Sequence, residues 1–287
     1  MTRRVLFVLH AARPNAVAIA QRAASGLIDS GIEVLCAEPD AGNLGIDAVV
    51  PATSADGCEL VIVFGGDGTI LRGIEVAREH DVPVLGVNLG HVGFLAEAEP
   101  EDIATVIATV VDRSWTVEER MALSVSGQDV DGTSWTSWAL NEVAIEKTNR
   151  ERMTTLLVSI DDRPLSQWAC DGVLCSTPTG STAYAFSAGG PVVWPDVDAL
   201  LVVPISAHAL FARPLVVAPT SHVDIEVTVG PVVLSADGRR TTELASGGTV
   251  HVERHAQPVK LARVHQTPFT ERLVAKFELP VHGWRNP

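Results

Sequence analysis

Apolar positions in this chain follow two different periods, and the change between them falls near residue 120. Before it, short unbroken apolar runs at Val5–Leu9, Ile32–Ala37, Leu60–Phe64 and Val82–Val87 predict strands buried on both faces. Helical spacing fills the gaps. Pro14-Asn15 opens a helix carrying Val17, Ala20, Ala23, Ala24, Leu27 and Ile28 on one face and ending near Gly31. After Pro100-Glu101-Asp102, the residues Ile103, Val106, Ile107, Val110 and Val111 repeat at i, i+3, i+4, i+7, i+8, the pattern of an amphipathic helix.

Strand and helix in alternation predict an α/β domain with an open parallel sheet of Rossmann type. From Arg120 onward the period shortens to two, as in His222-Val223-Asp224-Ile225-Glu226-Val227-Thr228-Val229, with turn signals at Asp131-Gly132 and Asp237-Gly238. The expected organisation is an α/β domain over 1–119, a β-rich, sandwich-like domain over 120–264, and a C-terminal segment, 265–287, that returns to the first domain.

Composition narrows the partners. The 287 residues are 46% hydrophobic and 20% charged, the balance of a globular chain with a large core. Acidic residues number 35 against 21 basic, a net charge of −14, which argues against nucleic acid or an anionic membrane as partner. An anionic ligand must therefore be held by local features, and lysines are few: Lys147, Lys260 and Lys276. Cys36, Cys58, Cys170 and Cys175 form no CxxC pair and match no zinc spacing, so they read as reduced core thiols. The apolar run after Arg3-Arg4 stops at His10, shorter than the roughly 7–15 residues of a secretory leader. No run approaches the roughly 18 residues of a membrane span. A cytoplasmic location is the expectation.

The chemistry gathers in a few segments. The strand Leu60–Phe64 runs straight into Gly65-Gly66-Asp67-Gly68-Thr69 and then into a helical pattern containing Arg72. Strand, glycine turn and helix in that order present backbone N–H groups to a phosphate. A carboxylate inside such a turn is unfavourable beside phosphate unless it holds a metal or takes a proton from an attacking hydroxyl, which points to phosphoryl transfer. The turn is neither GxGxxG, because Leu71 stands at the third glycine position, nor a Walker A loop, because no Gly-Lys-Ser or Gly-Lys-Thr occurs.

A second segment, Asp171 to Tyr184, holds six hydroxyl side chains in the nine residues from Ser176 to Tyr184, including the only tyrosine. Hydroxyls at this density suit ribose, amide and pyrophosphate, and Tyr184 offers a flat face to a base. Asn141 presents both donor and acceptor, matching an adenine edge, and Glu142 can accept from a ribose hydroxyl. Read alone, an Asn-Glu pair more often describes a solvated strand end than a binding site. Asn88-Leu89-Gly90 follows the Val82–Val87 strand, where α/β sheets place ligand loops. Its neighbour His91 reads more readily as a loop histidine than as a base, and His208 and Arg213 stay ambiguous.

Together and in this order, these segments resemble the NAD kinase family. The matching pieces are Gly65-Gly66-Asp67-Gly68-Thr69, Asn88-Leu89-Gly90 with Gly93-Phe94-Leu95, Asn141-Glu142, and Ser176 through Tyr184, extended by Gly189-Gly190-Pro191 and Arg213-Pro214. The first motif also occurs in lipid, sphingosine and phosphofructo-kinases, whereas the Asn-Glu pair with the hydroxyl block is more specific. The resemblance implies transfer of the γ-phosphoryl of ATP, or of polyphosphate, to the 2′-hydroxyl of the NAD adenosine ribose. It implies Asp67 as the catalytic residue, Mg²⁺ or another divalent cation as cofactor, and a homodimer or homotetramer. Its implied nucleotide-contacting set is Gly65, Gly66, Gly68, Thr69, Arg72, Asn88, Asn141, Glu142, Asp171, Thr179, Thr182, Ala183, Tyr184 and Ser187, with no assignable metal ligands. Ala207 before His208 departs from the family pattern. A lipid or sugar kinase and a non-catalytic NAD(P) sensor remain the alternatives.

Overall fold

Five consecutive apolar side chains, Leu60 to Phe64, are all fully buried. They need cover on both faces of the sheet, and the fold of this computed structural model, described over residues 2–10, 12–89, 93–265 and 267–281, supplies it. The strands β1 (Arg4–Leu9), β2 (Glu33–Ala37), β3 (Val50–Ala52), β4 (Leu60–Phe64) and β5 (Val84–Val87) pair in parallel in the order β3-β2-β1-β4-β5. The helices α1 (Pro14–Asp29), α2 (Glu38–Ala41), α3 (Asp67–Arg78) and α4 (Ile103–Asp112) connect them, and β6 (Thr116–Arg120) follows α4. Helix α1 buries Ala16, Ile19, Ala20, Ala23, Ala24 and Leu27, with the predicted Ile28 half-buried against the same core and Val17 also half-buried.

The chain reverses direction across the sheet between β1 and β4, which is the topological switch point where open α/β sheets bind ligands. The turn after β4 therefore stands where a phosphate site belongs. The short β3 was not legible in the sequence, since it is three residues long with Pro51 at its centre. As an edge strand it tolerates the missing N–H.

The β-rich unit, residues 120–258, contains β7 (Leu123–Gln128), β8 (Ser134–Ala139), β9 (Glu142–Lys147), β10 (Thr154–Ile160), β11 (Arg163–Cys170) and β12 (Gly172–Ser176). After the short helix α5 (Tyr184–Ser187) come β13 (Leu200–Ile205), β14 (Leu215–Val217), β15 (Val223–Val229), β16 (Val232–Ala236), β17 (Arg240–Leu244) and β18 (Thr249–Arg254). They form two antiparallel six-stranded sheets, β11-β10-β15-β18-β7-β8 and β14-β13-β12-β9-β16-β17. Side chains of both sheets share one core, among them Leu123, Ile145, Leu156, Val173, Val202 and Ile225, with Trp168 fully buried. Cross-sheet burial of this kind is why the strands alternate.

The strand β19 (Val259–Arg263) corrects one boundary. Its alternation assigned it to the β-rich domain, yet it joins the first sheet beside β5, with Leu261 opposite Val84. The first unit is thus 1–119 together with 259–287. The apolar segment after it forms α6 (Phe269–Phe277). All four cysteines are buried free thiols. Burial pushes Cys36 and Cys175 up to about 12 and Cys58 and Cys170 up to about 11.

Candidate functional site

In the first unit the site is built around the turn between β4 and α3. None of Gly65, Gly66 and Gly68 has a positive φ, so backbone conformation alone does not require glycine there. Space does. A Cβ on Gly65 would overlap the Thr69 side chain, whereas one on Gly66 or Gly68 would project into open space. Glycine at those two positions leaves room for a ligand to approach the backbone at the N-terminus of α3, the positive end of the helix dipole.

Asp67 is the first residue of α3. Its Oδ2 accepts from the Phe94 N–H and its Oδ1 from the Leu95 N–H, both at 3.2 Å. Gly93 is needed beside it, because a Cβ there would strike the carboxylate. The carboxylate is therefore fixed in direction, and each oxygen keeps a further lone pair.

The loop that fixes Asp67 is itself anchored within the same unit. Glu97 has a fully buried side chain that accepts from Arg263 (2.8 Å), Arg272 (2.5 Å) and the His265 N–H (3.0 Å). Arg272 also donates to the Ala96 carbonyl at 2.5 Å, and Phe94 lies 5.8 Å from Phe269 and 6.1 Å from Phe277. Sequence reasoning singled out none of these. An arginine in a C-terminal helix carries no local signal of its partner some 175 residues away.

Asn88, at the end of β5, is 2% exposed and directs its amide nitrogen to Glu99 at 3.0 Å. Arg72 pairs with the buried Asp40 at 2.6 Å and donates to the Leu9 carbonyl. Asp40 in turn accepts from the Leu9 N–H at 2.9 Å. Arg72 thus compensates a buried carboxylate at the mouth of β1. Gly90 and His91 lie outside the described residues.

In the second unit, a single buried carboxylate organises the Asn-Glu pair. Asp237 accepts from the Leu140 N–H (2.9 Å), the Asn141 N–H (2.7 Å) and Arg240 (2.9 Å). Burial still raises its carboxyl, an effect the hydrogen bonds and Arg240 only partly offset. The sequence showed Asp237 only as half of an Asp-Gly turn, and both residues do have left-handed φ, 52° and 64°.

The hydroxyl block closes against the same strand end. The Thr177 N–H donates to the Asn141 carbonyl (2.9 Å), and its hydroxyl donates to the Leu140 carbonyl (2.5 Å) while accepting from the Gly180 N–H (3.1 Å). Ser176 donates to Asn141 O at 3.1 Å. A Cβ on Gly180 would collide with the Asn141 carbonyl, which explains glycine there without any φ argument. Several hydroxyls that looked available for a ligand are thus spent on the protein: Ser176, Thr177, and also Ser181, which bonds Val193.

What remains near the strand end is Asn141, Glu142, Ala183 and Tyr184. Tyr184 donates its hydroxyl to Glu146 at 2.7 Å, and burial with that bond raises its phenol to about 12. Thr182 donates to the Thr179 carbonyl at 3.3 Å, and Thr179 is buried. Asp171 pairs with Lys147 at 2.5 Å. Ser187, His208 and Arg213 are exposed.

Glu142 is the most perturbed group. It is 7% exposed, and its Oε2 is buried with no hydrogen-bond partner. Burial, reinforced by the nearby Asp237 charge, pushes its carboxyl up to about 8, so it is neutral at pH 7 and can donate as well as accept. Because the folded pKa lies above the ordinary 4.5, the contribution of Glu142 to stability falls as pH rises from about 4.5 to about 8 and is level above that. Glu142→Gln is expected to remove this penalty. Its stability relative to wild type should rise across that window by up to about 4 kcal/mol, read from urea unfolding at pH 5 and pH 8. A difference that does not change with pH would show that Glu142 is ionised in the folded protein.

A phosphate-receptive turn at the switch point of a Rossmann-type sheet, with a fixed carboxylate at its centre, is an arrangement suited to a phosphotransferase. Comparison with known proteins is specific. The family described as ATP-NAD kinase N-terminal domain matches residues 5–115, and the ATP-NAD kinase C-terminal domain matches residues 140–264. NAD kinase 2 of Streptomyces avermitilis is 53% identical over 99% of this chain and 97% of its own length. The NAD kinase of Thermobifida fusca is 51% identical over 99% of this chain and 91% of its own. Among solved structures, yeast NADH kinase complexed with NADH superposes with a TM-score of 0.91 at 25% identity, covering 100% of this chain and 90% of that one. The chain belongs to the NAD kinase family. It is an enzyme that phosphorylates NAD, built from a mixed α/β N-terminal domain and an antiparallel β-rich C-terminal domain, as the sequence patterns implied.

Proposed function

We propose that Asp67 takes the proton of the NAD adenosine 2′-hydroxyl as that oxygen attacks the γ-phosphorus of ATP, giving NADP and ADP. The observation that carries this is the fixed carboxylate of Asp67 at a helix N-terminus, flanked by two glycines open to a ligand. The backbone N–H groups at Gly66 and Gly68 then face the donor phosphates, and positioning does most of the catalysis. The adenine edge is read by the Asn141 carboxamide, the ribose hydroxyls bond the neutral Glu142 carboxyl, and Tyr184 covers the base. The ATP-NAD kinase domain match supports ATP as the donor.

A divalent ion fits this reading. Mg²⁺ prefers one or two carboxylates plus substrate phosphates over an all-protein cage, and Asp67 offers hard oxygen donors at the open turn. Bound there, Mg²⁺ would offset the charge of the transferring phosphoryl group and its leaving oxygen. No helix among the described residues is long and apolar enough to cross a membrane; a cytoplasmic location and a homodimer or homotetramer complete the reading.

The direct test is NADP formation from NAD and Mg-ATP, followed with an NADP-specific dehydrogenase. Asn141→Ala is expected to raise KM for NAD about tenfold or more with a smaller change in kcat, the loss of ground-state hydrogen bonds. An unchanged KM would remove Asn141 from the adenine contact.

A further inference from the structure

Three polar residues outside the nucleotide segments converge on the sheet that does not carry Asn141 and Glu142. The two-residue turn between β10 and β11 places Asp161 and Asp162 at φ 50° and 61°. Alternation through His222-Val223-Asp224 buries Val223 and puts its two polar neighbours on the opposite face. Register then sets Asp224 opposite His251 on β18.

The turn is not free to drift. Asp161 accepts from the His222 N–H at 3.1 Å and from the Ser221 hydroxyl at 3.1 Å, while its own N–H donates to the His222 carbonyl at 3.2 Å. One ligand-type atom from each of Asp162, His222 and Asp224 lies within 4.8 Å of the others. His222 Nε2 stands 3.4 Å from Asp162 Oδ1 and 3.4 Å from Asp224 Oδ2. That is long for a charge-assisted hydrogen bond, about 2.7–2.9 Å. It matches the edge of a tetrahedron, roughly 3.3–3.4 Å, spanned by ligands about 2.0–2.1 Å from a zinc-sized ion.

The other carboxylate oxygen of Asp224 is already engaged. His251 Nδ1 sits 2.7 Å from Asp224 Oδ1, which leaves Oδ2 turned toward His222. A histidine orienting a ligating carboxylate is an outer-shell arrangement that tunes metal sites. Asp162 is exposed and His222 and Asp224 are half-buried, so an ion and a water have access.

We propose that Asp162, His222 and Asp224 bind a divalent transition-metal ion of the zinc type, with His251 positioning Asp224 and one coordination position left to water. One imidazole nitrogen and two carboxylate oxygens suit Zn²⁺ or Co²⁺ over Mg²⁺, which demands octahedral oxygen. The ion ties the 161–162 turn to the start of β15 and stabilises the second unit by mass action.

The test uses untagged full-length protein, treated with chelator and titrated with ZnCl₂ in excess Mg²⁺. Wild type is expected to take up one equivalent that Mg²⁺ does not displace and to gain thermal stability with it. Co²⁺ in its place should give the visible absorption of a tetrahedral site. His222→Ala should bind at least tenfold more weakly, and His251→Ala about 10–100-fold more weakly, both with wild-type circular dichroism and NADP formation. Zinc uptake by wild type no greater than by His222→Ala, or uptake abolished by Mg²⁺, overturns the site.

Discussion

Asp67→Asn is expected to lower kcat by about 10²–10⁴-fold, the usual contribution of a positioned general base, with KM for NAD nearly unchanged. The substitution keeps the shape of the side chain and removes its ability to take a proton. One acceptor also becomes a donor, so one of the bonds from Phe94 and Leu95 is lost. That second effect belongs to structure, and it can be separated from the first. A net hydrogen bond contributes about 0.5–1.5 kcal/mol, so the thermal midpoint should fall by only a few degrees. A variant with near-wild-type turnover and a clear stability loss would make Asp67 an anchor for the 94–95 loop and would end its assignment as base.

The largest stability effect is expected at Glu97. Its side chain is fully buried and takes charge-assisted bonds from two arginines that are themselves 8% and 11% exposed. Replacing it by leucine fills the volume and removes a carboxylate partner from both guanidinium groups. Arg263 retains Glu118 at 2.6 Å, whereas Arg272 retains only main-chain carbonyls among the partners described. Breaking a buried pair from one side costs about 3–5 kcal/mol, and the Glu97→Leu protein should lose stability in that range by urea unfolding. It should also lose turnover, because the 94–96 segment that directs Asp67 hangs from the same arginines. A loss below about 1 kcal/mol would mean that the network is solvated and contributes little.

The two chemistry-bearing segments differ in how far they could be read in advance. The turn at 65–69 was legible because its meaning is local: a buried strand, glycines and a helix follow one another in the chain, and the sheet order does the rest. The hydroxyl block was legible as a segment but not residue by residue. Ser176, Thr177 and Ser181 bond the protein's own backbone, and no pattern within nine residues shows which hydroxyls turn inward. Arg72, which the family resemblance places with the nucleotide, pairs with Asp40, 32 positions away, a partner no local pattern shows. Asp237 looked like any Asp-Gly turn, and only the pairing of β16 with β9 brings it to the Asn141 N–H.

By itself, the sequence determined the two-part architecture, the strands β1, β2, β4 and β5 of the parallel sheet, and the segments that carry the chemistry. Each of these depends on hydrophobic period or on contiguous residues, where the physics is short-ranged. Only the tertiary structure decided that Val259–Arg263 belongs to the first sheet, that Glu97 gathers Arg263 and Arg272, that Asp237 holds the Asn-Glu pair, and that Asp162, His222 and Asp224 meet. Those outcomes depend on which strands become neighbours. A buried charge is tolerated only where the fold brings it a partner, and that partner can lie anywhere in the chain.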